Sequence, residues 1–132
     1  MQLELSHEDG VRFTAHCRTH HFTIDQPTGA GGTDAGPTPL ELFATSVASC
    51  VGYYVVRFLE QAGLPDKKVT IGCDWTISKD MPKRIATVRL HLRIPDLPEN
   101  RQAAIRRVAE RCLIHQTLKQ GPELTLVVET LE

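Results

Sequence analysis

The segment from Leu40 to Ala62 restricts the possible folds of this chain more than any other feature. It contains no proline and a single glycine, Gly52. Thr38 can cap a helix and Pro39 suits a first helical position, so the pattern predicts a long helix that begins there. Apolar side chains cover well over half of its circumference, which predicts contact with protein on both sides. We therefore expect a central, buried helix.

A membrane span is the alternative for such an apolar segment. Glu41 and Arg57 lie inside it, and no basic flank orients it, so the pattern favours a helix within a globular protein. The first ten residues, MQLELSHEDG, lack a basic segment followed by an apolar core and do not resemble a secretory signal. We expect a cytoplasmic protein that does not interact with membranes.

The chain before the helix divides into a strand region and a loop. Residues 2–7, 11–16 and 21–25 alternate apolar with polar side chains and are separated by segments that can turn. This pattern predicts a three-stranded antiparallel meander. Residues 26–39 are too rich in glycine and proline for a helix or a central strand, so they predict a long loop.

The chain after the helix predicts more antiparallel sheet and a second helix. Residues 69–77 and 86–94 alternate with period two, with Met81-Pro82 in the turn between them. From Pro98 onward an apolar stripe at helical spacing predicts a helix that carries Cys112. Residues 124–131 predict a closing strand. The order β-β-β-α-β-β-α-β indicates an α+β fold with antiparallel sheet.

Length and charge limit the classes of function. The chain has 132 residues, of which 41% are hydrophobic and 23% charged, so residues 1–132 predict a single globular domain. Fifteen basic and sixteen acidic residues give a formal charge of −1. No basic field is available for phosphate backbones, so we do not expect a nucleic-acid partner.

Four cysteines raise the question of thiol chemistry, because a cytosolic setting disfavours a disulfide framework. Cys50 follows small residues that would let another group approach its sulfur, and Cys112 lies on the stripe of the second helix. Packing of the two helices would make a pairing reasonable. The alternative is that both are small buried hydrophobes, the commonest fate of a free cysteine. Cys73 alternates with apolar residues and is assigned to the core.

A second cluster, His16, Cys17, His20 and His21, contains the ligand types that zinc prefers. Neighbouring residues of a strand point to opposite faces, so His16 and Cys17 cannot both bind one ion without a bulge. A solvated turn is favoured, and a zinc-binding module remains as a lower-ranked alternative. The glycine-rich segment 31–36 is not followed by the Lys-Ser/Thr of a phosphate-binding loop, so nucleotide binding is not supported.

Two segments of the chain resemble the OsmC/Ohr family of organic hydroperoxide resistance proteins. The first is Gly-Gly-Thr-Asp-Ala-Gly-Pro-Thr-Pro-Leu-Glu-Leu-Phe over residues 31–43, followed by Ala-Ser-Cys at 48–50. The second is Cys-Leu-Ile-His-Gln-Thr-Leu over residues 112–118. The order of elements is also similar, and the chain looks closer to a less characterised OsmC-like branch than to the best-known reductases.

The resemblance implies a two-cysteine peroxidase that acts in oxidative stress defence. Cys50 would attack the O–O bond of an organic hydroperoxide and become a sulfenic acid. Cys112 would then condense with it to a disulfide, which an external dithiol of the lipoyl type, or a small thiol, would reduce. The resemblance implies no metal, haem or flavin cofactor.

The resemblance also implies a cation beside Cys50, because an ordinary cysteine is mostly protonated at neutral pH. In the family an arginine near the N-terminus has this role, and a glutamate at the start of the central helix holds it, in a site shared by two intertwined subunits. Glu41 is similar to that glutamate, and Arg18 or Arg12 to the arginine. In the best-known reductases the glutamate falls at the position of Leu40, about 100° away on the helix.

A binding protein is the competing hypothesis. The same apolar cleft around the two cysteines could hold a small apolar or thiol-containing ligand, with slow redox chemistry. The absence of an arginine partner for Cys50 would favour it.

Overall fold

The computed structural model describes residues 2–66 and 68–132. The strands are β1 Glu4–Asp9, β2 Arg12–Cys17, β3 His20–Ile24, β4 Thr70–Ile77 and β5 Ile85–Arg93. The helices are α1 Pro39–Gln61, α2 Gln102–Glu110 and α3 Leu113–Lys119, with 3₁₀ turns at Thr28–Ala30 and Glu99–Arg101.

The N-terminal meander is confirmed, because β1, β2 and β3 form one antiparallel sheet in chain order. Its register places Glu4 opposite His16 and His16 opposite His21. The tight turns occur at Gly10 and Arg18, both with positive φ. The alternation in the sequence therefore identified the strands to within a few residues.

The long helix α1 is confirmed and begins at Pro39, as expected. Five of its residues are buried, and the last four repeat every fourth position: Ala44, Val47, Val51, Val55 and Leu59. The prediction of protein on both sides is not met within one chain, since Leu40 and Tyr53 are exposed. By length and composition α1 could also cross a membrane, with a mean hydropathy of 1.5. Core helices of globular proteins can have the same length and composition, so these two properties do not identify a membrane span.

The two strands after α1 are confirmed as a paired β4–β5 sheet, with Met81-Pro82 in the connection. Ser78 orders this turn. Its backbone N–H donates to the carbonyl of Arg84 at 2.8 Å, and its Oγ accepts from the N–H of Arg84 at 3.1 Å.

The prediction of one second helix carrying Cys112 on its stripe is wrong. Helix α2 ends at Glu110, and Cys112 adopts an extended backbone, with φ −58° and ψ 144°, before α3 begins. After this break the Cys112 side chain caps α3. The apolar stripe continues across the break, which is why the sequence pattern did not reveal it.

The prediction of a closing strand at residues 124–131 is also wrong for the single chain. This segment has no regular structure, and Leu124 and Val128 are 94% and 84% exposed. A strand needs a neighbouring strand for its backbone hydrogen bonds. The described part of the chain provides none for this segment.

The contacts divide the chain into two compact units. One contains the chain up to Ser46 and Cys73–Arg89, and the other contains Val47–Gly72 and the chain from Leu90 onward. The second unit, which we call the cysteine unit, has a core of Val51, Val55, Leu59, Ile105 and Cys112. The partly buried side chains packed against this core include Cys50.

Candidate active site

Cys50 lies on α1 within the cysteine unit. It immediately precedes the core residue Val51 and packs against the core cluster. Its side chain is half-buried, so part of it remains accessible to solvent. The long helix therefore holds one thiol at the boundary between the core and the surface.

Cys112 lies at the break between α2 and α3 and is fully buried. Its Sγ accepts a hydrogen bond from the backbone N–H of His115 at 3.1 Å. Its carbonyl oxygen accepts from the N–H of Gln116 at 3.0 Å, which is the first bond of α3. The sulfur thus takes the place of the side-chain oxygen that usually caps a helix.

The structure brings the two predicted cysteines together. Cys50 packs against the core cluster that contains Cys112, and all four cysteines of the chain are free. Burial raises the pKa of Cys112 above its ordinary value; the N–H of His115 opposes this shift and the neighbouring Cys50 adds to it. Cys112 is therefore a protonated thiol at neutral pH.

A cavity of about 900 Å³ opens within the cysteine unit. Val51 and His115, neighbours of the two cysteines in the sequence, contribute to its wall. Apolar side chains form one part of the wall: Leu90, Leu92, Ile94, Leu97, Ile105 and Ala109. Polar and charged side chains, among them Glu99, Arg106 and Glu110, form the rest. Such a wall suits the apolar part of a small molecule.

Glu41 and Thr38 form a capping box at the start of α1. The Glu41 Oε1 accepts from the N–H of Thr38 at 2.9 Å, and the N–H of Glu41 donates to the Thr38 Oγ1 at 3.2 Å. The first of these bonds lowers the pKa of Glu41, and the Thr38 side chain also lowers it. The carboxylate that the resemblance assigns to an arginine therefore also stabilises the N-terminus of the helix.

The candidate arginines lie in the meander. Arg18 is exposed in the turn between β2 and β3, and Arg12 begins β2. Within residues 2–66 and 68–132 neither forms an ion pair with Glu41. A single described chain thus does not assemble the cation and glutamate that the resemblance implies.

The histidine cluster is split between the two faces of the meander. His16 pairs with His21, with ring centroids 5.8 Å apart, and Cys17 pairs with His20. The described residues hold no group of three or more His, Cys, Asp or Glu that could hold a metal ion. Cys73, assigned to the core from the sequence, is only half-buried in β4, and its burial raises the pKa of its thiol.

Asp25 is a structural residue that the sequence analysis missed. It is 1% exposed, and its carboxylate accepts from the N–H groups of Gln26, Thr33 and Ala35 and from the Thr33 hydroxyl, at 2.8 to 3.2 Å. The bonds from Ala35 and Gln26 contribute most to lowering the pKa of Asp25 from 3.8 to about 2. An aspartate at a strand end before a glycine-rich loop was the available signal.

The loop around Asp25 explains two of its glycines. A Cβ at Gly32 would collide with the backbone carbonyl of Gln26, and one at Gly36 with the carbonyl of Thr23. The loop backbone therefore passes too close to the end of β3 for any side chain at these two positions.

Solved structures with this fold are similar to the chain over most of its length. A protein of Psychrobacter arcticus 273-4, described as an osmotic stress induced and detoxification response protein, has a TM-score of 0.80 at 18% identity, covering 89% of this chain and 87% of that one. The organic hydroperoxide resistance protein OhrB of Bacillus subtilis has a TM-score of 0.67 at 19% identity, covering 91% and 90%.

A further structure is that of an organic hydroperoxide resistance protein from Vibrio cholerae with captopril bound in one of its active sites. It has a TM-score of 0.69 at 17% identity and covers 92% of this chain and 86% of that one. Identities this low support the fold alone. No curated protein matches the sequence.

The sequence profile of OsmC-like proteins matches residues 31–127. This range includes both Cys50 and Cys112 and covers most of the chain. The α+β architecture with antiparallel sheets and a long central helix agrees with the match. The chain belongs to the OsmC-like protein family.

Proposed function

We propose that the protein is a thiol-dependent peroxidase that reduces organic hydroperoxides. The observation that carries the proposal is the pairing of a half-buried Cys50 with a fully buried Cys112 in one core. A family that includes organic hydroperoxide resistance proteins supports it. The two thiols can then be oxidised to one disulfide without any metal or organic cofactor.

The reaction proceeds in two balanced steps. The Cys50 thiolate attacks the outer oxygen of the hydroperoxide, the O–O bond breaks, and the alcohol leaves after taking a proton while Cys50 becomes a sulfenic acid. The Cys112 thiol then attacks that sulfur, an S–S bond forms and water leaves. An external dithiol, of the lipoyl type or a small thiol, returns both cysteines to thiols.

The asymmetry of the pair supports this assignment of roles. Peroxide reaches Cys50 because part of its side chain is exposed, whereas Cys112 has no exposed surface. Burial raises the pKa of Cys112, so Cys112 is the less reactive of the two thiols towards peroxide. The apolar part of the cavity wall that includes Val51 would hold the organic part of the substrate.

The cation that the first step needs is part of the proposal. Arg18, or alternatively Arg12, would stabilise the Cys50 thiolate, and the Glu41 carboxylate would hold that arginine through the oxygen that Thr38 does not use. Since the described chain does not assemble this set by itself, we propose that it is completed in an intertwined homodimer.

The exposed apolar surface of the single chain supports the homodimer. Leu124, Leu126 and Val128 alternate in the sequence, and all three are more than 80% exposed. An apolar face of this kind is unstable in water and matches a strand that lacks its sheet. A second copy of the chain would supply the missing neighbours of this segment.

The competing function is a binding protein for a small apolar or thiol ligand. The observation that favours it is the captopril, a thiol compound, in an active site of the Vibrio cholerae structure. For either function we propose a cytoplasmic location, where thiol reductants are abundant.

Steady-state peroxidase assays distinguish the two functions. With cumene hydroperoxide and a dithiol reductant, we expect Cys50→Ser to abolish turnover, and Cys112→Ser to allow one oxidation and then stall or over-oxidise. Cys17→Ser, a half-buried thiol in the other unit, is the matched control and should keep the wild-type rate. Equal turnover in all three variants would refute the assigned roles, and negligible turnover of the wild type would favour the binding protein.

A further inference from the structure

A groove between α1 and α2 lies within the cysteine unit and is separate from the cavity described above. It encloses about 540 Å³, a volume typical of small-molecule sites. One wall is formed by α1, through Tyr53, Tyr54, Arg57, Phe58 and Gln61. The other is formed by α2 and the residue that follows it, through Ala104, Arg107, Val108 and Arg111.

The groove carries three positive charges and no negative one. Arg57, Arg107 and Arg111 line it, whereas none of its lining residues is acidic. Within residues 2–66 and 68–132 the only ion pair joins Arg84 to Asp80, so the three guanidinium groups have no carboxylate partner there. Unpaired guanidinium groups that share one groove attract an anion with several oxygen atoms.

Helix dipoles do not account for this arrangement. A basic side chain in the last turn of a helix is favourable by itself, which would explain Arg107 in α2. The last turn of α1, however, contains no basic residue, and Arg57 lies before it. Arg57 therefore faces the groove without the benefit of a helix end.

The remaining wall of the groove is aromatic and apolar. Tyr53 is 63% exposed and meets Tyr54 edge to face, with ring centroids 5.6 Å apart. Phe58 and Val108 are half-buried and supply apolar surface. A ligand that fits both parts of the wall carries a charged head group on an aromatic or apolar body.

We propose that this groove binds an organic dianion, a phosphomonoester or a dicarboxylate attached to an aromatic ring. The guanidinium groups of Arg57 and Arg107 would bind the head group, and the ring would lie against Tyr53 and Phe58. The site is close to the redox pair along the chain, because Tyr53 and Tyr54 follow Cys50 by one helical turn and Arg111 precedes Cys112. It does not depend on peroxidase activity.

Calorimetry on the Cys50→Ser protein tests the site without any redox chemistry. Phenyl phosphate and phthalate are the probes, and the tighter of the two identifies the head group. Benzyl alcohol and inorganic phosphate represent the ring and the head group alone. We expect the better probe to bind at least tenfold more tightly than either, and its binding to weaken with added salt.

Charge-removing variants locate the binding. Arg57→Gln and Arg107→Gln should each weaken the better probe about tenfold, as expected for the loss of one charge-assisted contact. Arg106→Gln on the same helix, which does not line the groove, should change it less than twofold. Arg107→Lys, which keeps the charge, should recover part of the loss, and far-ultraviolet circular dichroism checks that the variants are folded.

Three outcomes would overturn the proposal. The first is that neither aromatic dianion binds. The second is that benzyl alcohol or inorganic phosphate binds as tightly as the better probe. The third is that Arg106→Gln weakens binding as much as Arg57→Gln and Arg107→Gln do.

Discussion

The Sγ of Cys112 accepts a hydrogen bond from the backbone N–H of His115 and so caps the first turn of α3. A residue assigned to chemistry therefore also holds a helix in place. This link ties the position of the sulfur beside Cys50 to the stability of the fold.

Removal of this cap should destabilise the protein. Cys112→Ala removes the acceptor and leaves a small void in the core, so we expect a loss of about 1–2 kcal/mol in the free energy of unfolding. Cys112→Ser keeps an acceptor and should lose less. Urea denaturation measures both, with Cys17→Ala as the control. Cys112→Ala as stable as the wild type would show that the cap contributes nothing.

The raised pKa of Cys112 predicts that stability declines at alkaline pH. The folded state keeps this thiol protonated, whereas the unfolded chain ionises it from about pH 8.5. The contribution of protonated Cys112 to the stability of the fold is therefore complete below that pH. It is lost as the pH rises through the pKa of Cys112 in the folded state. Cys112→Ser should show a shallower decline in thermal unfolding. Cys73→Ser should also flatten the profile, because burial raises its pKa too, and an unchanged slope in both variants would contradict the account.

The lowered pKa of Asp25 predicts the opposite dependence at acid pH. Asp25 is ionised in the folded state down to about pH 2, whereas an ordinary aspartate takes up its proton near pH 3.8. The stabilisation by ionised Asp25 is complete above the pKa of an ordinary aspartate. It is lost as the pH falls through the lowered pKa of Asp25 in the folded state. Asp25→Asn should lower the melting temperature at neutral pH and remove this acid-dependent part. Asp34→Asn, exposed in the same loop, is the control, and parallel profiles for wild type and Asp25→Asn would contradict the prediction.

Glycine substitutions test the close approach of the loop to β3. Gly32→Ala and Gly36→Ala place a Cβ against backbone carbonyls that cannot move aside, so we expect each to cost about 1–3 kcal/mol. Gly29→Ala is the matched control, because a Cβ there meets nothing within 4 Å. Denaturation midpoints that are the same for all three variants would show that the loop relaxes freely.

Variants of Glu41 separate its two roles. Gln can also form a capping box, so Glu41→Gln should keep α1 and change stability by only a few tenths of a kcal/mol, about the limit of measurement. It cannot hold an arginine by charge, and we expect the rate of Cys50 oxidation to fall at least tenfold. Glu41→Ala should lose both the stability from the capping box and the fast oxidation of Cys50. A full oxidation rate in Glu41→Gln would exclude the carboxylate from the proposed site.

Truncation tests the homodimer. A chain that ends at Gly121 lacks the exposed apolar segment, and light scattering should find it monomeric where the full chain is dimeric. Glu123→Gln alters the same segment without changing an apolar residue and should leave the dimer intact. A monomeric full-length chain would remove the explanation for the exposed leucines.

Local signals in the sequence predicted the long helix best. Thr38, Pro39 and Glu41 set its start through contacts between residues three positions apart. The strands followed equally from their alternation. The break at Cys112 was not predictable in the same way, because the apolar stripe continues from α2 through Cys112. The side-chain cap at the start of α3 has no counterpart in that pattern.

Longer-range features were missed for a physical reason. The partners of Asp25 lie eight and ten residues further along the chain, so no local pattern reveals them. The segment 124–131 has the composition of a strand but no neighbour in its own chain. For the candidate site, the sequence analysis identified both cysteines, and the structure added the difference in their burial.

Disulfide mapping after single-turnover oxidation tests the central claim most directly. The reduced protein is mixed with one equivalent of cumene hydroperoxide, blocked with an alkylating reagent and mapped by mass spectrometry. We predict a rapid and selective Cys50–Cys112 disulfide, with Cys17 and Cys73 alkylated. Slow oxidation spread over all four cysteines would contradict the peroxidase proposal.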